Sequence, residues 1–278
     1  MTPLLPMVVL LTLVGCTDGS SVADNQQPAE RVPTGHISQG FTEQALEPDA
    51  LYTAFAALAL PGTEVSRLAA GPDEQMLLVK IQLDAFEPVL LGGGRGLSAL
   101  QALESVQLVV GSGFVSQINS LAPVGLLQID GRTLSDLQVH GYTRILGIRP
   151  EGLGVLGHRE FHAGMYDSAL QVGPGVVEQG LLDITERDLT RTKYLRTFVA
   201  TCGRIAVVGA TQRPMHLFTL GQRLLEFMQG DGMTCDEVVN LAGDREIILA
   251  MTSEDRSRTV YIWHPKTAKA ALVGFKLR

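Results

Sequence analysis

The apolar stretches of this chain are short, and nearly every one stops at a glycine, a proline or an Asp-Gly pair. That punctuation leaves little room for long helices and predicts many brief strands joined by tight turns. Met76 to Asp84 reads as a strand with Lys80, Gln82 and Asp84 on one face. Val106 to Val110 is a second, stopped by Gly111-Ser112-Gly113. Val124 to Ile129 runs into Asp130-Gly131, a hairpin signal. Arg144 to Ile148 and Leu153 to Val155 are split by Pro150-Glu151-Gly152, and Ala169 to Val172 breaks at Gly173-Pro174-Gly175. Arg196 to Thr201 and Arg204 to Gly209 flank Gly203. Glu237 to Leu241, Glu246 to Met251 and Val260 to Trp263 complete the strands.

Helices are few. Leu97 to Glu104 can form a short one. Leu220 to Met228 places Leu220, Leu224, Leu225 and Met228 on one face, with Thr219 as its expected cap. No fixed-period repeat is present. The expected class is α+β: one domain of many short strands in a mixed or antiparallel twisted sheet with a few short helices.

The N-terminus carries a different kind of signal. The apolar run Met7 to Val14 leads through Gly15 to Cys16. An apolar segment, small residues and then a cysteine is the order of a bacterial lipoprotein signal, although Met1-Thr2-Pro3 lacks the usual Lys or Arg. The run is well short of the roughly 20 residues that span a bilayer. Residues 1–15 are therefore expected to be a signal peptide, with Cys16 lipidated. Residues 16–42 are polar, hold Gln26-Gln27-Pro28 and Pro33-Thr34-Gly35, and read as a flexible tether. Residues 43–278 are the expected folded domain. Thr17 after Cys16 is not an inner-membrane retention aspartate, so the expected location is the outer membrane, facing the periplasm.

Hydrophobic residues make up 45% of the 278, ample for a core, and only 5% are aromatic, so Leu, Val, Ile and Ala should dominate it. A net charge of −7 argues against nucleic acid as a partner and implies a covalent membrane anchor rather than electrostatic adhesion. With Cys16 lipidated, Cys202 and Cys235 remain. In an exported protein they suggest one disulfide; in a reducing compartment they would be two buried thiols.

Several motifs invite chemistry that their surroundings do not support. Gly92-Gly93-Gly94-Arg95-Gly96 lacks the Lys-Ser/Thr of a phosphate loop and reads as a glycine loop between strands. His158 and His162 have helical metal-ligand spacing, but Gly157 and Gly164 border them. On a strand the two rings would be roughly 13 Å apart, so no metal site is assigned. No Gly-x-Ser-x-Gly elbow occurs. Arg144, Arg149, Arg159, Arg196 and Arg204 lie in or beside strands, where arginine suits phosphate or carboxylate or serves a structural ion pair. No motif specifies a cofactor.

From about Leu51 onward, these breaks follow an order that resembles the phosphodiester glycosidase family, the domain type of the mannose-6-phosphate uncovering enzyme. Val109-Val110-Gly111-Ser112-Gly113-Phe114 stands where the family has an Asn-Gly-Gly-Phe-Phe turn. Pro123-Val124-Gly125 followed by Asp130-Gly131 is similar to its Pro-x-Gly … Asp-Gly hairpin. Gln171-Val172-Gly173-Pro174 resembles its Gln-x-Gly-Pro stretch, and Arg196-Thr197 its Arg-Thr pair. Asn240-Leu241-Ala242-Gly243 stands where the family has Asn-Leu-Asp-Gly.

The resemblance implies a sugar 1-phosphodiester of an envelope glycan as the ligand. It implies that Arg196 binds phosphate and that Ser112, Gln171, Gly173 and Asn240 line the sugar site. Two positions depart from the pattern: Gly111 replaces the asparagine of the turn, and Ala242 replaces the aspartate of the Leu-Asp-Gly motif. Glycoside hydrolysis normally needs carboxyl groups, so Asp244 or Glu160 would have to supply one. An enzyme, a non-catalytic glycan- or protein-binding relative, and a structural lipoprotein are the readings carried forward. Oligomeric state is not specified.

Overall fold

The computed structural model describes residues 35–39, 42–46, 48–58, 60–71, 73–95, 101–116, 121–139, 141–244, 247–262 and 268–278. Cys16, the signal segment and most of the expected tether lie outside the described residues. Strands begin at Gly35, inside the segment read as tether.

In chain order the elements are β1 (Gly35–Gln39), β2 (Thr42–Leu46), α1 (Pro48–Ala56), β3 (Thr63–Gly71), β4 (Glu74–Gln82), β5 (Phe86–Arg95) and β6 (Leu108–Ser112). Next come β7 (Leu127–Ile129), β8 (Arg132–Ser135), β9 (Arg144–Arg149), β10 (Gly152–Gly157), β11 (Ser168–Val172), β12 (Gly175–Glu178) and β13 (Leu181–Leu182). A 3-10 turn at Glu186–Thr190 precedes β14 (Leu195–Cys202), β15 (Ile205–Thr211) and α2 (Leu217–Gly230). The chain closes with β16 (Glu237–Asp244), β17 (Leu249–Thr252), β18 (Arg258–Ile262) and β19 (Ala268–Leu277).

These strands form three antiparallel sheets, ordered β2-β1-β18-β17-β6-β19-β5, β10-β9-β11-β7-β8 and β13-β12-β16-β14-β15-β4-β3. The molecule is mostly β with two described α-helices, so the α+β expectation fits only roughly.

Alternation along β4 shows how the layers arise. Leu77, Val79 and Ile81 enter a central core shared by all three sheets, with Leu170 of β11, Leu241 of β16 and Val273 of β19. Met76 and Leu78 face the other way, against α2. That helix buries Leu217, Leu220, Leu224 and Met228 at three- and four-residue spacing. It starts three residues earlier than expected: His216, not Thr219, is the N-cap, and Asp188 accepts the Phe218 N–H at 3.1 Å. An acceptor from the 3-10 turn thus does the work assigned to Thr219.

The Gly92–Gly94 run is not a loop. It lies within β5, paired with β19 through Gly92–Ala271 and Gly94–Lys269. A Cβ on Gly93 would collide with the backbone of Lys269 and Ala270, so glycine there allows two backbones to meet. The Asp130-Gly131 turn does form as read, with both residues at positive φ (48° and 76°) between β7 and β8. Cys202 and Cys235 form a disulfide, tying the end of β14 to the segment after α2.

Candidate functional site

Four strand ends meet where β6 and β11 finish, β14 starts and β16 finishes. Hydrogen bonds across the sheets hold them. Thr197 Oγ1 donates to the Gly111 carbonyl at 2.8 Å, joining β14 to β6. The Gly113 N–H donates to the Leu241 carbonyl at 3.1 Å, joining β6 to β16. The Gly173 N–H donates to the Asn240 carbonyl at 3.0 Å, and the Asn240 N–H to the Pro174 carbonyl at 3.2 Å, joining β11 to β16. Ser112, Gly173, Arg196 and Asn240 are thereby brought to neighbouring chain segments of one strand-end cluster.

Their polar atoms are buried and only partly used. Ser112 and Asn240 are fully buried, and neither Ser112 Oγ nor Asn240 Oδ1 has a hydrogen-bond partner. Asn240 Nδ2 donates to the Gly173 carbonyl at 3.1 Å. Arg196 is 8% exposed; its guanidinium lies over the Tyr194 ring at 5.1 Å, and its Nε is unpartnered. Burial works against its charge, while Asp188 and Tyr194 favour it. Among the described residues Arg196 makes no ion pair. A buried guanidinium left in this state is costly, and an anion would relieve it.

Gly243 sits directly opposite Arg196 in the β14–β16 ladder. A Cβ at Gly243 would strike Arg196 Nη1, so the glycine makes room for the guanidinium. Register between the strands slips at Leu241, between the Thr197–Ala242 and Phe198–Asn240 pairs. That bulge re-aims the end of β16. Ala242 is fully buried in this bend and offers no carboxylate.

Gln171 plays a different part from the one expected. Its Oε1 accepts the Leu126 and Gln138 N–H groups at 3.0 and 2.9 Å. Its Nε2 donates to the Gln138 and Tyr142 carbonyls, both at 2.7 Å. All four positions of the amide are used by backbone, which leaves none for a sugar. Gln171 instead fastens the loops after Gly125 and Ser135 to the end of β11. There Phe114 and Tyr142 stack at 4.2 Å between ring centroids.

The carboxylates assigned by resemblance divide. Asp244 ends β16, paired with Leu195 and one residue beyond the Gly243–Arg196 pair; its side chain lies outside the described residues. Glu160 occupies the exposed turn after β10, where Oε2 accepts the Gly157 N–H at 2.9 Å. His158 in the same turn bonds through Nδ1 to the Thr143 carbonyl at 3.2 Å.

Sequence reading missed a charged cluster beside Gly175. Arg144 Nη2 contacts Asp183 at 2.7 Å and Glu178 at 3.0 Å. Glu237 lies opposite Glu178 in the β12–β16 ladder. Burial first, then the neighbouring Glu178, Asp183 and Asp236, push its carboxyl up to about 7 against the pull of Arg144. Two other arginines make structural contacts: Arg149 binds the Met165 carbonyl, and Arg204 pairs with Asp84.

A cleft of about 390 Å³ lies elsewhere, lined by Glu87, Asp130, Arg149, Asp167 and Ser168 among others. Ser168 and Gly173 stand at opposite ends of β11, roughly 16 Å apart along the strand.

No protein-family model matches the chain, and no curated protein matches it. Among solved structures it is similar to the zebrafish N-acetylglucosamine-1-phosphodiester α-N-acetylglucosaminidase catalytic domain, auto-inhibited by its pro-peptide. That match has a TM-score of 0.56 at 14% identity over 88% of this chain and 89% of the other. A hypothetical protein from Synechocystis also matches, at TM-score 0.49 and 10% identity over 78% of this chain and 61% of the other. The first likeness defines the fold as phosphodiester glycosidase-like.

Proposed function

We propose that this protein binds a sugar 1-phosphodiester of an envelope glycan at the strand-end cluster. The observation that carries this reading is Arg196: nine-tenths buried, unpartnered at Nε and without an ion pair among the described residues. A phosphodiester supplies one negative charge and the acceptors a guanidinium lacks there. Ser112 Oγ and Asn240 Oδ1, both buried without partners, are suited to sugar hydroxyls. The fold's likeness to a sugar-phosphodiester glycosidase supports the same ligand class. In this reading a lipid on Cys16 tethers the domain to the outer membrane, facing the periplasm.

Hydrolysis is a stronger form of this proposal and depends on Asp244, whose backbone follows the Gly243–Arg196 pair. A panel of sugar 1-phosphodiesters separates the two forms. Product release that disappears in Asp244→Ala and Arg196→Ala supports a glycosidase. Saturable binding without turnover, weakened by Arg196→Ala, supports a binding module. If neither occurs with the wild-type protein, the proposal fails. Cys16→Ser should release the protein from membranes or leave it unprocessed; unchanged attachment would contradict the lipid anchor.

A further inference from the structure

We infer that residues 186–194 form an outer binding surface that extends the Arg196 site, and that the ligand it fits is a chain of sugars joined by phosphodiesters rather than a single diester. The inference rests on the reading of Arg196 as the phosphate ligand. Strand alternation shows from which side that residue is reached. Tyr194, Arg196 and Phe198 occupy alternate positions, and their side chains leave the same face. Phe198 is fully buried against α2, Arg196 is 8% exposed and Tyr194 is 38% exposed. Solvent therefore meets this row at Tyr194, whose ring lies over the guanidinium with 5.1 Å between Cζ and the ring centroid.

The segment that carries Tyr194 is pinned at two points. Asp188 accepts the Phe218 N–H at 3.1 Å, and Tyr194 exchanges backbone hydrogen bonds with Met215 at 2.8 and 3.3 Å. The side chains around these anchors remain exposed. Among the described residues Tyr194 is the one exposed Phe, Tyr or Trp. Arg187, Arg191 and Lys193 are exposed as well, and none makes an ion pair among the described residues. Glu186 is the segment's one exposed acid.

This composition selects the ligand. One phosphodiester carries one negative charge, and Arg196 meets it. Three further cations beside it, on a chain of net charge −7, suit further phosphates. An aromatic ring with a polar tip suits the C–H face of a sugar, whose hydroxyls stay in water. Cations and ring together match a repeating sugar phosphodiester whose terminal unit passes Tyr194 to reach Arg196. A headgroup held in a flat bilayer cannot follow that path to a guanidinium buried behind the ring.

Calorimetry on the full chain in detergent tests this with two probes. One is N-acetylglucosamine 1-(methyl phosphate); the other is a linear trimer in which each C1 phosphate esterifies the next N-acetylglucosamine. The wild type should bind the trimer about tenfold or more tightly than the single diester, and added salt should shrink that advantage. Arg187→Ser, Arg191→Ser and Lys193→Ser combined should remove the advantage and leave the single diester unchanged. Tyr194→Ala should weaken the trimer about tenfold, and Tyr194→Phe should keep wild-type affinity. If Tyr194→Ala lowers the melting temperature, the charge variant, confined to exposed residues, carries the test. Equal wild-type affinity for the two probes overturns the inference and leaves the Arg196 reading standing, as does an advantage undiminished in the charge variant. Tighter binding to phosphatidylglycerol vesicles than to the trimer, lost in the charge variant, also overturns it by assigning the surface to a membrane. Failure to bind either probe refutes both readings.

Discussion

The two ends of β11 present opposite kinds of surface. At the Ser168 end there is a cleft of about 390 Å³, and none of its lining side chains holds a buried polar atom without a partner: Ser168 Oγ accepts the Asp130 N–H at 3.0 Å, and the Gly131 N–H reaches the Asp167 carbonyl. At the Gly173 end the side chains are more deeply buried, yet Ser112, Arg196 and Asn240 each keep an unpartnered atom. Shape alone points to the first end; unmet hydrogen-bonding capacity points to the second. The second criterion is the more informative, because a buried polar atom without a partner loses about 1–3 kcal/mol that a ligand can restore.

Changes at the two ends should therefore separate stability from binding. The largest stability effect lies at neither. Replacing Cys202 and Cys235 together by serine should cost about 3 kcal/mol in denaturant unfolding while leaving sugar-diester affinity intact; equal loss of both would mean that the bridge shapes the site. Gln171→Leu should cost about 2–3 kcal/mol, since four backbone groups lose their partner, and calorimetry should show weaker binding as the loops after Gly125 and Ser135 loosen. Gly243→Ala should displace the Arg196 guanidinium and weaken diester binding about tenfold, roughly 1.4 kcal/mol, with little change in melting temperature.

Glu237 adds a pH term. Its carboxyl holds a proton up to about 7 in the folded protein, against 4.5 ordinarily. Its contribution to stability is therefore complete below pH 4.5 and is lost as pH rises through about 7. Glu237→Gln should flatten the melting temperature across that range. The smallest effect belongs to the cleft: Asp167→Ala should stay within about 0.5 kcal/mol of the wild type and leave diester affinity unchanged. A large binding loss there would reverse the comparison.

Much of the strand pattern was legible in the sequence because local chemistry fixes it. Asp130-Gly131 and Gly203 mark turns wherever they fall, and the spacing of Leu220, Leu224 and Met228 declares a buried helical face. The β5–β19 pair was not legible. Gly92–Gly94 looks like a loop until the backbone of Lys269 and Ala270, some 180 residues later, is laid against it. The same holds for the site. Arg196 and Asn240 could be named from motif order, but the saturation of Gln171 depends on three loop segments that no spacing relates to it.

The central claim is tested most directly by a crystal structure of the protein soaked with N-acetylglucosamine 1-(methyl phosphate). The account predicts the phosphate within hydrogen-bond distance of the Arg196 guanidinium and the sugar against Asn240. A ligand seated instead between Asp130 and Asp167, or an Arg196 site that stays empty at saturating ligand, would contradict it.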